Sequence, residues 1–165
     1  MNELWIRYQQ IGDAKRFFEI LTHPDFFLFP VNPTGIEEEK RFLRTNKYLR
    51  DNKLAYNYTI LLEKDIVGAI GIRIDQHRKY IGEIGYLVDR NYWGNGIASQ
   101  AVGLIESIAF SDLDIERIEL ITLKQNKASI RVAQKCGYRK EGIQRHKLKL
   151  DGEWQDACLF AKVRS

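Results

Sequence analysis

The sequence predicts an α+β fold, with one mixed, mostly antiparallel central sheet and helices on both faces. Three observations carry this. Residues 54–88 hold three strand-like runs parted by short polar turns. Residues 94–110 then switch to a helical period, with Ile97, Ala101, Leu104, Ile105 and Ile108 in one stripe. The chain closes on a hairpin signature, Asp151-Gly152 between two further strand-like runs.

Element by element, Glu3 to Tyr8 reads as a short strand. Asp13 is placed to cap a helix that carries Phe17, Ile20 and Leu21 on one face. An irregular aromatic stretch from Thr22 to Pro33 follows, holding Phe26, Phe27 and Phe29. Thr34 with Glu37 matches a capping box that opens a charged helix to about Arg50. Leu54 to Glu63 alternates, with Tyr56, Tyr58, Ile60 and Leu62 on one face, and Lys64-Asp65 makes the turn. Ile66 to Ile74 is apolar on both faces up to Arg73, the pattern of a central strand covered on both sides. Tyr80 to Val88 is the third strand. Beyond the helix at 94–110, Arg117 to Leu123 reads as a strand and Asn126 to Cys136 as a short helix stopped by Gly137. A strand ending near Leu150 and another from Trp154 to Val163 form the closing hairpin. There is no repeat, low-complexity tract or linker, so residues 1–165 are expected to form a single domain.

Composition narrows the class. Apolar residues make up 44% and charged residues 29%, which excludes a disordered tail or a fibrous repeat. The longest apolar run, Ile66 to Ile72, contains two glycines and falls far short of the roughly 18 residues a spanning helix needs. Met1-Asn2-Glu3-Leu4-Trp5 has neither the basic start nor the apolar stretch of a signal peptide. A cytoplasmic protein without membrane contact is expected. Cys136 and Cys158 form no Cys-x-x-Cys pair, and His23, His77 and His146 are far apart, so no metal is expected.

The net charge of +4 is unevenly placed. Residues 124–149 hold nine bases (Lys124, Lys127, Arg131, Lys135, Arg139, Lys140, Arg145, Lys147, Lys149) against Glu141. That segment carries +8 and the rest of the chain −4. It is either a face for an anionic partner or a solvated surface.

The most informative residues are Tyr92-Trp93-Gly94-Asn95-Gly96-Ile97-Ala98, where a strand ends and a helix begins. Glycines there let backbone N–H groups turn outward. The first helical turn adds unpaired N–H groups and the positive end of its dipole, making a cradle for phosphate or pyrophosphate. The spacing is not that of a nucleoside-triphosphatase loop, and the preceding antiparallel strands do not suit a dinucleotide fold.

Together with Glu83-Ile84-Gly85-Tyr86-Leu87-Val88, Asn126-Lys127-Ala128-Ser129 and Lys135-Cys136-Gly137-Tyr138, this turn resembles the GNAT superfamily of N-acetyltransferases, in its RimJ/RimL-type branch. The resemblance implies that superfamily's acyl-CoA N-acyltransferase fold and acetyl-CoA as donor. It implies that backbone groups of Leu87 and Val88 pair with the pantetheine arm. N–H groups from Gly94, Asn95, Gly96, Ile97 and Ala98, beside Trp93, would hold the pyrophosphate. Asn126 would bond near the pantetheine or the attacking centre. The basic segment from Lys124 then suits the remaining phosphate. Trp93 stands where the superfamily commonly has Arg or Gln, and Ala133 where many relatives carry a tyrosine acid.

Acetyl transfer needs a neutral amine, a polarised thioester and a route for the thiolate. Lysine-like amines titrate at about 10.4 and α-amines at about 7.7–8.0, so an α-amine needs less help from a base. Glu83 is the candidate base, acting through water, or else a structural ion-pair residue. Ser129 matches the branch's serine and shares a helix face with Ala133, so it is the candidate acid, or else bonds the preceding backbone turn. A strand N–H near Leu87 or Val88 would meet the developing oxyanion. Cys136 fits core packing better than a nucleophilic role, since no histidine is near it in sequence. Phe26, Phe27 and Phe29 either wall an acceptor pocket or plug the core. Tyr80 and His77 are placed to touch the acceptor, and Trp154 and Asp156 to shape its other wall.

Direct acetyl transfer in a ternary complex is therefore the leading expectation. The acceptor expected first is a protein or peptide N-terminus, then a small amine such as a polyamine or amino-sugar. A non-catalytic CoA-binding module and a nucleic-acid binder are the competing classes. A basic face also suits docking beside ribosomal RNA, and the protein is expected as a monomer or homodimer.

Overall fold

The computed structural model describes residues 3–29 and 31–165. Met1 and Asn2 of the chain start, and Pro30 of the aromatic stretch, lie outside the described residues. Seven strands form one sheet: β1 (Leu4–Tyr8), β2 (Ala55–Leu62), β3 (Asp65–Ile74), β4 (Ile81–Val88), β5 (Arg117–Leu123), β6 (Arg139–Leu150) and β7 (Glu153–Val163), in spatial order β1-β2-β3-β4-β5-β7-β6. Four helices accompany them: α1 (Ala14–Leu21), α2 (Ile36–Asp51), α3 (Ile97–Asp112) and α4 (Lys127–Lys135). Every strand pair is antiparallel except β4–β5, joined by the α3 crossover that a parallel pair requires.

The helices divide by face. Along β4 the even residues Ile84, Tyr86 and Val88 join the main core with Ile97, Ala101, Val102 and Ile105 of α3 and Ala133 of α4. Leu87 joins a smaller cluster with Ala14, Phe17, Ile36, Leu43 and Ala69, built from α1, α2 and β3. The two-residue period of a strand thus sends neighbours to opposite layers. β3 is central and buried on both faces at Val67, Ala69, Ile70 and Ile72, as its unbroken apolar run predicts.

Four local expectations are corrected. Asp13 makes no side-chain cap on α1; its carboxylate accepts from the Arg7 guanidinium, the Thr59 hydroxyl and the Gln10 N–H. A buried carboxylate beside an arginine gains more from that charge than from a cap. The Thr34–Glu37 capping box does not form before α2: Gly35 is the N-cap without a side-chain cap, and the Thr34 N–H and hydroxyl both donate to the Glu38 carboxylate. The β2–β3 turn is Glu63-Lys64, since Asp65 already pairs with Leu62. On α3, Val102 and Ala109 turn inward while Leu104 is exposed. The Asp151-Gly152 turn does join β6 and β7, with both residues at positive φ, as a two-residue hairpin of the primed type has.

One feature of the sheet positions the site. The β4–β5 pairing covers only Ile81–Ile84 against Arg117–Leu120 and then stops. β5 stays paired with β7 throughout, to Leu123 opposite Ala157. The two parallel strands therefore part in the middle of the sheet, leaving one edge of β4 unpaired from Gly85 onward.

Candidate active site

The opening is bounded by the start of α3. Gly94 and Gly96 have φ of +79° and +74°, a region in which a side chain is strained, and Gly96 is the N-cap. The first intrahelical bond runs from the Gln100 N–H to the Gly96 carbonyl, so the N–H groups of Ile97, Ala98 and Ser99 have no partner within the helix. Gly94, Gly96, Ile97, Ala98 and Ser99 line a cleft of about 570 Å³ that runs back to Tyr86, Leu87 and Val88. Its other wall is α4, where Asn126, Ser129, Lys127, Arg131 and Lys135 face in. The three bases are spaced four residues apart, which aligns them along one helix face opposite the free amides. Amide donors, a helix dipole and aligned cations converge on one space, and a diphosphate with a further phosphate fits that set.

The aromatic stretch closes the third side. Phe26, Phe27 and Phe29 line the cleft, and the Phe26 ring lies 5.9 Å from that of Trp93. An Asp25–Arg90 ion pair ties this stretch to the turn before α3. Trp93 donates its indole N–H to the Val88 carbonyl at 2.8 Å, which consumes that acceptor and locks the ring at the mouth of the opening.

Backbone phase decides which β4 groups face the gap. At one end of the strand Asp75 N–H bonds the Ile81 carbonyl, and at the other Asp89 N–H bonds the Val67 carbonyl. Odd residues of β4 therefore direct their backbone groups toward β3. Glu116 N–H and Arg117 N–H bond the Tyr80 carbonyl, so even residues face β5. Where β5 departs, the groups left facing the gap are those of Tyr86 and Val88. The Leu87 backbone, expected to serve the pantetheine arm, faces β3 instead, although the residue lines the cleft.

Ser129 stands across the gap from Tyr86. Its N–H donates to Asn126 Oδ1 at 3.1 Å, the N-cap bond of α4, so the Asn126 carbonyl oxygen is occupied in positioning Ser129. The Tyr86 phenol donates to Ser129 Oγ at 3.2 Å. Burial pushes the Tyr86 hydroxyl up from its ordinary value, so it stays protonated and a donor. Tyr86 was not singled out from the sequence. The signal was there in retrospect, a tyrosine at even phase in the strand before the glycine turn, but only the α4 packing shows what it meets.

Other candidates are brought elsewhere. Glu83 is on the opposite face of β4 from Tyr86, paired with Arg73 at 3.0 Å and outside the cleft lining. Tyr80 is exposed and contributes its carbonyl to the β4–β5 start, away from Phe26, Phe27 and Phe29. The His77 N–H donates to Asp75, in the turn before β4. Asn95 folds back onto the Tyr92 and Trp93 carbonyls and lines a neighbouring cavity of about 590 Å³ rather than the cleft. Trp154 and Asp156 belong to the closing hairpin, where Asp156 accepts from the His146 N–H, and neither lines the cleft. Cys136 is half-buried with its thiol against the Ser99 carbonyl, and burial pushes the thiol up, away from thiolate chemistry. The described residues contain no group of three metal-ligating side chains and no helix long and apolar enough to cross a membrane.

A parted β4–β5 pair beside a glycine-opened helix start defines the acetyltransferase class. The Acetyltransferase (GNAT) domain family matches residues 3–139, and the chain belongs to that family of N-acetyltransferases. Acetyl-CoA, the donor implied by the resemblance, is the family's co-substrate. The chain is 35% identical to the probable N-acetyltransferase YjcK of Bacillus subtilis (strain 168), over 64% of this chain and 60% of that protein. It thus spans about three fifths of YjcK's length. It is 27% identical to the ribosomal-protein-serine acetyltransferase of Escherichia coli (strain K12), over 77% of this chain and 71% of that one. Among solved structures, the microcin C7 self-immunity acetyltransferase MccE, in complex with acetyl-CoA and AMP, superposes with a TM-score of 0.88 at 23% identity. That alignment covers 99% of this chain and 94% of MccE, and shows the shared fold.

Proposed function

We infer that this protein moves the acetyl group of acetyl-CoA to the α-amine of a protein or peptide N-terminus, by direct transfer in a ternary complex. The observation that carries the acceptor assignment is the state of Gly85. It is exposed in the fourth of seven strands, and a Cβ built there meets nothing within 4 Å. Among the described residues nothing covers Gly85 on the face opposite α3 and α4, and we read that bare stretch as an open groove floored by Gly85. The unpaired edge of β4 begins at this same residue, so in this reading the groove opens onto the gap. An open groove suits the end of a chain, whereas a small amine is better held by an enclosed pocket.

When bound, acetyl-CoA supplies an activated thioester. Ile97, Ala98 and Ser99 N–H groups hold its diphosphate, with Lys127, Arg131 and Lys135 neutralising phosphate charge. The N–H groups of Tyr86 and Val88 donate to the acetyl carbonyl oxygen as charge develops on it. Ser129 gives the departing sulfur a proton, Tyr86 hands its own to Ser129 in the same step, and a solvent proton, equivalent to the one that Glu83 releases to water, restores the Tyr86 phenol. Glu83, on the groove side, takes the proton of the attacking amine through water, with Arg73 holding it in place.

The test is mass spectrometry of the purified protein with acetyl-CoA and four amines: a tripeptide amide with a free N-terminus, its N-blocked lysine-containing counterpart, spermidine and glucosamine. Acetylation of the free α-amine first is the expected result. Modification of only the polyamine or the amino-sugar would move the acceptor to small amines, and no product with any of them would refute the transfer.

A further inference from the structure

Three side-chain amides tie α2 to the sheet in one chain of hydrogen bonds. Asn57 Nδ2 donates to Asn46 Oδ1 at 2.8 Å, and Asn46 Nδ2 donates to Gln9 Oε1 at 2.9 Å. Gln9 Nε2 ends the chain on the Tyr58 carbonyl at 3.4 Å. A main-chain carbonyl only accepts, so it fixes the direction of every bond before it. The oxygen left over is Asn57 Oδ1, which accepts no bond from the described residues. Among those residues the sealed side-chain atoms without a partner are Tyr138 Oη and Gln144 Oε1, so the Asn57 oxygen reaches solvent.

Strand register says where that oxygen stands. Asn57 on β2 is directly opposite Gly71 on β3, and Gly71 is directly opposite Gly85 on β4. Residues opposite one another share a sheet face, so all three lie on the face opposite α3 and α4. A Cβ built on Gly71 would overlap Asn57 Oδ1, so the carboxamide leans across β3 toward β4, while a Cβ built on Gly85 meets nothing. Along this rung no side chain stands between Oδ1 and the edge of β4 where the β5 pairing ends. Neighbouring strands are about 4.8 Å apart, which puts the oxygen about 5–10 Å from the gap.

We propose that Asn57 binds the acceptor peptide, its Oδ1 accepting a hydrogen bond from the main-chain N–H of the second or third residue, with Asn46 and Gln9 holding it in place. This rests on the peptide-acceptor reading above. Extended chain advances about 3.3–3.6 Å per residue, so with the reacting amine at the gap the N–H groups within reach of Oδ1 belong to those two residues. A carboxamide oxygen asks for a donor and not for a charge, and it engages the chain behind the amine, so the attacking nitrogen stays free to be neutral. The selectivity it confers is for acceptors with an amide N–H behind the amine. A proline or an N-methylated residue there covers the oxygen and gives it no bond, and such an acceptor is disfavoured.

The experiment measures kcat/KM for trialanine amide and for its two analogues N-methylated at the second or at the third residue, with wild type and with Asn57→Ala. Methylation at one of the two positions is expected to cost wild type about threefold to tenfold more than it costs the variant, the size of one neutral hydrogen bond. Each ratio is taken within one protein, so a partly unfolded variant does not distort it. Gly71→Ala, whose methyl group displaces Oδ1 without removing it, is expected to lose the same discrimination. Equal discrimination by wild type and both variants would overturn the proposal. If wild type acetylates none of the three peptides, the transfer reading fails, and calorimetry of the same peptides on the CoA-loaded protein decides the role of Asn57. A preference in Kd that Asn57→Ala abolishes would support it, and equal or absent binding would overturn it.

Discussion

Replacing Tyr86 by Phe removes one hydroxyl, 3.2 Å from Ser129 Oγ, and leaves the ring that packs in the main core. The lost neutral hydrogen bond is worth about 0.5–1.5 kcal/mol of stability. For a domain of this size that is a fall in melting temperature of about 1–6 °C. The catalytic effect is separable. A CoA thiolate resembles cysteine, with a solution pKa of about 8.5, so its protonation helps without being essential. Loss of the relay should therefore cost kcat about 100-fold, the lower end for general acid catalysis. Ser129→Ala should cost about the same, and the double variant no more than either single one, because the two hydroxyls act as a unit. Initial rates of thiol release at saturating acetyl-CoA and amine measure this directly. Losses under about threefold for both single variants, or a double variant whose loss is the product of the two, would refute the relay.

Further outcomes follow from other parts of the site. Changing Lys127, Arg131 and Lys135 together to Gln should weaken acetyl-CoA binding by about 1–3 kcal/mol at low salt, and most of the salt dependence should vanish with the charges; calorimetry at two ionic strengths checks it. Gly85→Val meets open space and a strand that accepts branched residues, so urea unfolding should be unchanged within about 0.5 kcal/mol, while kcat/KM for the amine falls. Arg7→Met leaves Asp13 buried without its cation and should cost about 3 kcal/mol in urea unfolding. Burial alone raises Asp13, but Arg7, Thr59 and the Gln10 N–H together hold it below the usual carboxylate range. Its stabilisation is therefore full above that range and is lost as pH falls from it toward the lower value that the fold imposes. The acid transition of Arg7→Met should accordingly begin at higher pH than that of wild type.

Much of this site was readable from local patterns. The Gly94 and Gly96 turn, the helix that follows it and the Gly137 stop are all set by residues within a few positions of one another, so sequence spacing suffices. What was missed depends on partners far along the chain. Asp13 has the residue type of a cap, yet its fate is set by Arg7 across the sheet edge and Thr59 on β2. Leu87 and Tyr86 are neighbours, and which one turns its backbone to the gap depends on the β3 register, which alternation within β4 does not reveal. Glu37, Glu38 and Glu39 look alike in sequence. The docking of α2 leaves the first two in solvent, pairs Glu37 with Lys40 and Glu38 with Thr34, and turns only the third inward.

The most direct test of the site is titration of the purified protein with acetyl-CoA, read by calorimetry and by amide hydrogen exchange on the same sample. One saturable site is predicted, with exchange slowing at residues 94–99 at the start of α3. The absence of saturable heat, or binding that protects amides elsewhere and leaves 94–99 as in the free protein, would contradict the assignment of that helix start as the donor's seat.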